Sequence, residues 1–266
     1  MSVRAKYYAD WASAVLGVGL GLTVAIFGLV FGSFATVLIA RIPTNESLWT
    51  RSACPHCSTQ INASKNIPLI SYFLLKGRCG GCSEKISWTY PAIEASMAAL
   101  FIAPLFLLNT NTQIALWIIF AIIGLPLTVI DLKVHRLPDR LTVSLFIISL
   151  IVIVVSAIST SNYSRIKPSL IGAISLVGFY FLIAFISRGG MGFGDVKLSA
   201  SIGLVSGYFG LSTVLVSSFS AFFLGSVIGI AMMIFGSAGR KTAIPFGPFM
   251  IAGQFISLTL IGLKIL

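Results

Sequence analysis

Residues 114–130, IALWIIFAIIGLPLTVI, run without a charge and stop on Asp131. A helix that crosses a bilayer needs about 20 mostly apolar residues, and the uncharged Asn111, Thr112 and Gln113 precede this stretch. Comparable runs recur along the chain, at roughly 11–40, 91–108, 141–158, 169–187, 196–210, 211–235 and 245–265. The reading is an all-α, polytopic membrane helix bundle with about eight transmembrane helices. Glycines at 203, 207 and 210 interrupt the sixth run, so the sixth and seventh could instead form one kinked unit. Composition agrees: of 266 residues, 57% are hydrophobic and 9% charged, and the mean hydropathy is +1.00. That balance lies outside the range of soluble domains. The run from Trp11 to Ala40 lacks a short apolar core followed by a cleavage site, so it is expected to be retained as a helix.

The net charge of +11 would suggest nucleic acid in a soluble protein. Here its placement reports topology, and no nucleic-acid partner is expected. Thirteen of the 18 Lys and Arg residues fall within 41–90, 131–140, 188–197 and 236–244, while Arg4, Lys6, Arg165, Lys167 and Lys264 fall on the other side of the alternation. By the positive-inside rule the first group faces the cytosol. Both termini then face away from it, in a multi-pass membrane protein surrounded by lipid.

Three parts follow from this pattern: a first transmembrane helix at 1–40, a polar cytosolic segment at 41–90 and a membrane bundle at 91–266. The polar segment carries all four cysteines, as Cys54-Pro55-His56-Cys57 and Cys79-Gly80-Gly81-Cys82. About 50 residues bury too little for a comfortable core, and domains of that size often need a metal or disulfides. Two CxxC knuckles can complete the tetrahedral shell that zinc prefers. Cys54, Cys57, Cys79 and Cys82 are therefore the expected ligands of a structural zinc, with His56 as a further candidate. Redox dithiols or disulfides are the competing reading, which a cytosolic location disfavours.

The seven acidic residues sort by place. Asp10, Glu46 and Glu84 lie in polar stretches. Glu94 follows Tyr90-Pro91, where a helix N-terminus favours a carboxylate, and Asp139 is placed to cap the helix that begins near Leu141. Asp131 sits at a helix C-terminus, where the dipole disfavours negative charge. Asp195 ends Gly190-Met191-Gly192-Phe193-Gly194-Asp195, at the mouth of the sixth run. The alternation puts Asp131 and Asp195 on one side of the membrane. A close pair of carboxylates shares a proton, and one member can then activate water while the other polarises a carbonyl. The bland alternative pairs each aspartate with Lys133, Arg136, Arg188 or Lys197.

Taken together, these pieces closely resemble the type IV prepilin peptidases, a family of GxGD-type membrane aspartyl proteases. The resemblance rests on Phe31-Gly32-Ser33-Phe34 with Arg41-Ile42-Pro43, both CxxC pairs, Asn66-Ile67-Pro68-Leu69-Ile70-Ser71-Tyr72, Tyr90-Pro91 with Glu94, Asp131 with Leu137-Pro138-Asp139, Gly192-Phe193-Gly194-Asp195, and Pro245-Phe246-Gly247-Pro248-Phe249. It implies that Asp131 and Asp195 form a peptidase dyad that cuts the leaders of prepilins or pseudopilins. It also implies methylation of the new N-terminus with S-adenosylmethionine. The methyl-donor pocket is not located by the residues; Lys76-Gly77-Arg78 and Glu94 are candidates because they lie close to where the trimmed N-terminus would emerge. Thr36 stands where the family often has Asn.

Two other classes compete. A membrane thiol oxidoreductase would use the two CxxC pairs in redox cycling. A transporter with a zinc-stabilised cytosolic domain would line an ion path with its acids, but none of them falls near the middle of a predicted span.

Overall fold

The computed structural model describes residues 3–62, 66–187, 191–236 and 244–266, with side chains from Val18 onward. Lys65, Arg188, Gly190, Arg240 and Lys241, used above for orientation or motif, lie outside the described residues. Among the described residues the secondary structure is helical apart from two isolated β-bridges. The helices are α1 (Val3–Arg41), α2 (Ile70–Leu74), α3 (Thr89–Leu107), α4 (Asn111–Val134), α5 (Asp139–Ser159), α6 (Ile166–Ile186), α7 (Phe193–Phe209), α8 (Leu211–Ile234) and α9 (Gly247–Gly262).

Each predicted apolar run is a helix, and among the described residues six have the length and composition to cross a bilayer: α1 from Val18 onward, α3, α4, α5, α6 and α8. The other two are shorter. α9 has 16 residues and α7 has 17, or about 25 Å at 1.5 Å per residue, against a hydrocarbon core of about 30 Å. The sixth and seventh runs are separate helices rather than one kinked unit. Gly210 breaks them at φ 154°, a backbone region that side chains rarely adopt.

By contacts the chain divides into two units. The first comprises residues 1–37 and 47–104, with α2 and most of α1 and α3. Its two long helices pack through glycines: a Cβ on Gly28 would stand 2.6 Å from the Ala98 Cα, and one on Gly32 would stand 2.6 Å from the Glu94 Cα. Phe31 and Phe101 seal the same seam, with ring centroids 5.5 Å apart.

The second unit comprises residues 38–46 and 105–266. α7 runs through its middle, against α5, α6, α8 and α9. Leu198, Ser201, Leu204, Val205 and Ser206 on α7 are all fully buried. A helix wrapped by protein needs no lipid-facing surface, so α7 can bury Ser199, Ser201 and Ser206 and turn Gly203 and Gly207 toward α6. Its approach to α6 is close enough that a Cβ on Gly207 would meet the Ser169 Cα at 2.8 Å. On the other flank Ser206 Oγ donates to Gln254 Oε1 at 2.6 Å and lies 3.3 Å from Ser217 Oγ, linking α7, α8 and α9 inside the bundle. α4 meets α9 through Trp117 and Phe120 around Phe255, at ring separations of 5.0 and 5.7 Å.

Candidate active site and metal centre

Within the second unit, Asp131 and Asp195 line one cavity of about 790 Å³. The chain delivers them from opposite helix ends. Asp131 lies in the last turn of α4, whose C-cap His135 adopts the left-handed conformation at φ 52° and returns its N–H to the Asp131 carbonyl. Asp195 lies in the first turn of α7, and its Oδ2 accepts the Gly192 N–H at 3.3 Å. That is a capping arrangement, and it explains the local fold of Gly192-Phe193-Gly194-Asp195: the carboxylate reaches back over Gly194 and Phe193 to the Gly192 N–H and closes the helix start. Both carboxyl groups are buried, at 5% and 8% exposure.

The segment between α4 and α5 forms the cavity wall. Leu137 touches two of the motifs: a Cβ on Gly194 would stand 3.0 Å from the Leu137 Cβ, and one on Gly247 would stand 3.1 Å from its Cδ2. Gly247, the first residue of α9, donates its N–H to Asp131 Oδ2 at 3.1 Å. The motif around Gly247 was visible in the sequence, but nothing there revealed that its N–H meets Asp131. Ile42 and Pro43 also line the cavity.

The basic residues proposed as bland partners of the aspartates behave differently. Lys197 pairs with Asp139 at 2.7 Å, and both side chains are largely exposed. Asp139 is the first residue of α5 and makes this ion pair; Pro138 occupies the N-cap position, with no side-chain cap hydrogen bond. The capping role expected for Asp139 is thus replaced by a link across the cavity rim. Arg188 lies outside the described residues.

In the first unit, the Sγ atoms of Cys54, Cys57, Cys79 and Cys82 all lie within 4.8 Å of one another. His56 is not part of the group. The two knuckles share one hydrogen-bond pattern. Cys54 N–H donates to the Thr59 carbonyl and Ser58 N–H to the Cys54 carbonyl; Cys79 N–H donates to the Glu84 carbonyl and Ser83 N–H to the Cys79 carbonyl. Ser58 and Ser83 adopt φ 56° and 60°, and one β-bridge closes each knuckle. The repeated Cys-x-x-Cys-Ser was the sequence signal for this symmetry.

The cluster fits a tetrahedral metal. Four sulfurs about 2.3 Å from a zinc ion stand about 3.8 Å apart, and the cross-knuckle separations are 3.9 Å for Cys54–Cys82 and 4.0 Å for Cys57–Cys79. Hydrogen bonding to Thr59 pushes the Cys57 thiol down to about 6, and the N–H groups of Cys82 and Gly81 lower that of Cys79. At Cys82 the Glu84 N–H lowers the pKa, but partial burial and the neighbouring thiols push it up to about 12. Four crowded thiolates repel one another unless a cation is among them.

Glu94, buried in the same unit, accepts the Leu69 N–H at 2.8 Å. Leu69 itself is held at φ 58°. Gly77, at φ 67°, packs under the Tyr72 hydroxyl, where a Cβ would stand 3.0 Å away.

Comparison with known proteins places this geometry in a lineage. Residues 26–108 match the bacterial peptidase A24 N-terminal domain, and residues 115–234 match the type IV leader peptidase family. The chain is similar to the prepilin leader peptidase/N-methyltransferase of Bacillus subtilis, 31% identical over 235 residues that cover 87% of this chain and 91% of the relative. The protein of the same name from Aeromonas hydrophila is 32% identical over 263 residues, covering 88% and 89%. That of Dichelobacter nodosus is 32% identical over 274 residues, covering 91% and 92%. No solved structure matches. With both family segments present in order and relatives matched over nearly their whole length, the chain belongs to the type IV leader peptidase family.

Proposed function

We propose that this protein is a membrane aspartyl endopeptidase that removes the leader peptides of type IV prepilins or pseudopilins and then methylates the new N-terminus. The observation that carries the reading is the meeting of Asp131 and Asp195 in one cavity, at the ends of two helices of the second unit. Two such carboxyl groups hold one proton between them. The ionised member draws a proton from water, and the protonated member hydrogen-bonds the scissile carbonyl as the water attacks. The Gly247 N–H fixes the orientation of one carboxyl group and the Gly192 N–H that of the other. A substrate whose apolar helix lies in lipid and whose leader stays outside it presents its scissile bond at the level of these helix ends.

The names of the relatives join peptidase and N-methyltransferase activities, and S-adenosylmethionine is the methyl donor we assign. We assign zinc to Cys54, Cys57, Cys79 and Cys82 as a structural ion: four sulfur ligands leave no position for water. Peptide cleavage is assigned to the bundle within 91–266, and the metal to the segment 41–90. We read that segment and the aspartate cavity as cytosolic, with both termini on the far side of the inner membrane. Thiol accessibility and reporter fusions test the orientation, and finding 41–90 outside the cytosol reverses it.

The thiol oxidoreductase reading loses ground because the four sulfurs gather at one point, with contacts across the knuckles, rather than lying as two separate CxxC dithiols.

The deciding experiment incubates the purified protein with a prepilin, with and without S-adenosylmethionine, and weighs the product. Cleavage at the leader junction is expected in both cases, with one added methyl group only when the donor is present. An intact substrate contradicts the peptidase assignment.

A further inference from the structure

Beside the cysteine knuckles, α2 is a single helical turn with an apolar outer face. Ile70, Phe73 and Leu74 are 55%, 60% and 77% exposed, and Trp88 is 60% exposed. These side chains form one surface. The Phe73 and Trp88 ring centroids are 6.2 Å apart, edge to face, and Tyr72 packs against both at 5.8 and 5.5 Å. A contiguous apolar patch of this kind marks a contact surface rather than a solvated one.

Trp88 sets the depth of the patch. It immediately precedes Thr89, the first residue of the membrane-capable helix α3. Tryptophan at the end of a membrane helix sits at the level of the lipid headgroups. Rings packed directly against it fall within the interfacial layer, into which apolar faces sink by about 5–10 Å. Lys76 and Arg78 follow α2 directly and are exposed. Charges of this sign beside an interfacial apolar face suit the phosphates of anionic lipid.

The geometry points to a lipid-contacting foot: Ile70, Phe73, Leu74 and Trp88 rest among the upper acyl chains, and Lys76 and Arg78 hold anionic phospholipid headgroups. The covering surface is the bilayer itself. An apolar helix from a protein partner would give Lys76 and Arg78 nothing to pair with. The foot ties the four-cysteine segment to the membrane at a third point besides the end of α1 and the start of α3, which limits its swing. This inference does not depend on peptidase activity.

The full chain is placed in nanodiscs of phosphatidylcholine and phosphatidylglycerol doped with a phospholipid that carries a photoreactive group high on its acyl chain. After irradiation, adducts are mapped by mass spectrometry, with the first turns of α3 as an internal reference. Lipid adducts on 70–76 at yields comparable to that reference are expected. The double substitution Phe73→Ser, Leu74→Ser should lower them about tenfold. Omitting phosphatidylglycerol should do the same through Lys76 and Arg78. α3 labelling stays constant in both cases, which separates loss of the foot from loss of the fold. Absent adducts on 70–76 beside a labelled α3 overturn the proposal, as does labelling that ignores both changes. Displacement of the lipid label by an added apolar prepilin-like peptide assigns the patch to a protein partner and also overturns it.

Discussion

The backbone N–H of Gly247 reaches the Asp131 carboxylate at 3.1 Å, tying the first residue of α9 to the last turn of α4. This bond restrains a buried carboxyl group that no neighbouring turn of its own helix holds. Gly247→Ala would place a Cβ 2.7 Å from Asp131 Oδ2 and 3.1 Å from Leu137, so the carboxyl group has to swing away. A displacement of about 1 Å in a reacting group lowers a rate by about 100-fold. Leader cleavage by Gly247→Ala is expected to fall by about that factor, with membrane insertion and metal content unchanged. Cleavage at the normal rate would show that this contact does not position the carboxyl group.

Close helix packing makes a second prediction. A Cβ on Gly207 would stand 2.8 Å from the Ser169 Cα, a backbone atom that cannot step aside. Gly207→Val forces α6 and α7 apart and should destabilise the bundle by about 3 kcal/mol or more, at the upper end of overpacking costs. Gly178, on α6, has nothing within 4 Å of its added Cβ. Gly178→Ala should be neutral or stabilising by up to about 1 kcal/mol, because it removes freedom from the unfolded chain. Thermal denaturation of the purified proteins reads both values.

The cysteine cluster predicts about one zinc per chain by elemental analysis. Cys54→Ser and Cys79→Ser, one from each knuckle, should each lose the metal and expose residues 41–90 to protease. The α4–α9 bundle should stay intact, since the cysteines lie in the other unit. Purified protein without zinc, its four thiols in disulfides, contradicts the assignment.

Lys197 and Asp139 form an exposed ion pair across the cavity rim. Surface pairs of this kind contribute about 0–1 kcal/mol. A double-mutant cycle with Lys197→Met and Asp139→Asn should therefore give a coupling of about 1 kcal/mol or less in stability. Asp139→Asn should retain most of the cleavage activity. A loss as deep as that of the buried aspartates would move Asp139 into the chemistry.

What could be read from the sequence follows physical lines. The lipid-facing helices announced themselves, because a surface in hydrocarbon has to be apolar over its whole length; the run in α5, with a mean hydropathy of 2.9, is the clearest case. α7 was the least distinct for other reasons: it has only 17 residues, carries Asp195 and Lys197 near its start, and, enclosed by protein, sets Gly203 and Gly207 against α6. The cysteine spacing showed the metal site, since a CxxC knuckle is a local structure. Partners distant in the chain left no such mark. The Gly247 contact to Asp131 spans 116 residues, and the Ser206–Gln254 bond spans 48. Asp139 read as a cap because local rules place it at a helix start, and only the packing of α5 on α7 brings Lys197 to it.

The account depends most on Asp131 and Asp195 acting as one proton-sharing pair, and the direct measurement is prepilin cleavage by Asp131→Asn and Asp195→Asn. An amide keeps the shape of the carboxyl group but cannot exchange its proton. Each variant should insert, bind zinc and lose nearly all cleavage, while still methylating a substrate supplied already trimmed if the two activities use separate sites. Normal cleavage by either variant would contradict the account and return that aspartate to a structural role at its helix end.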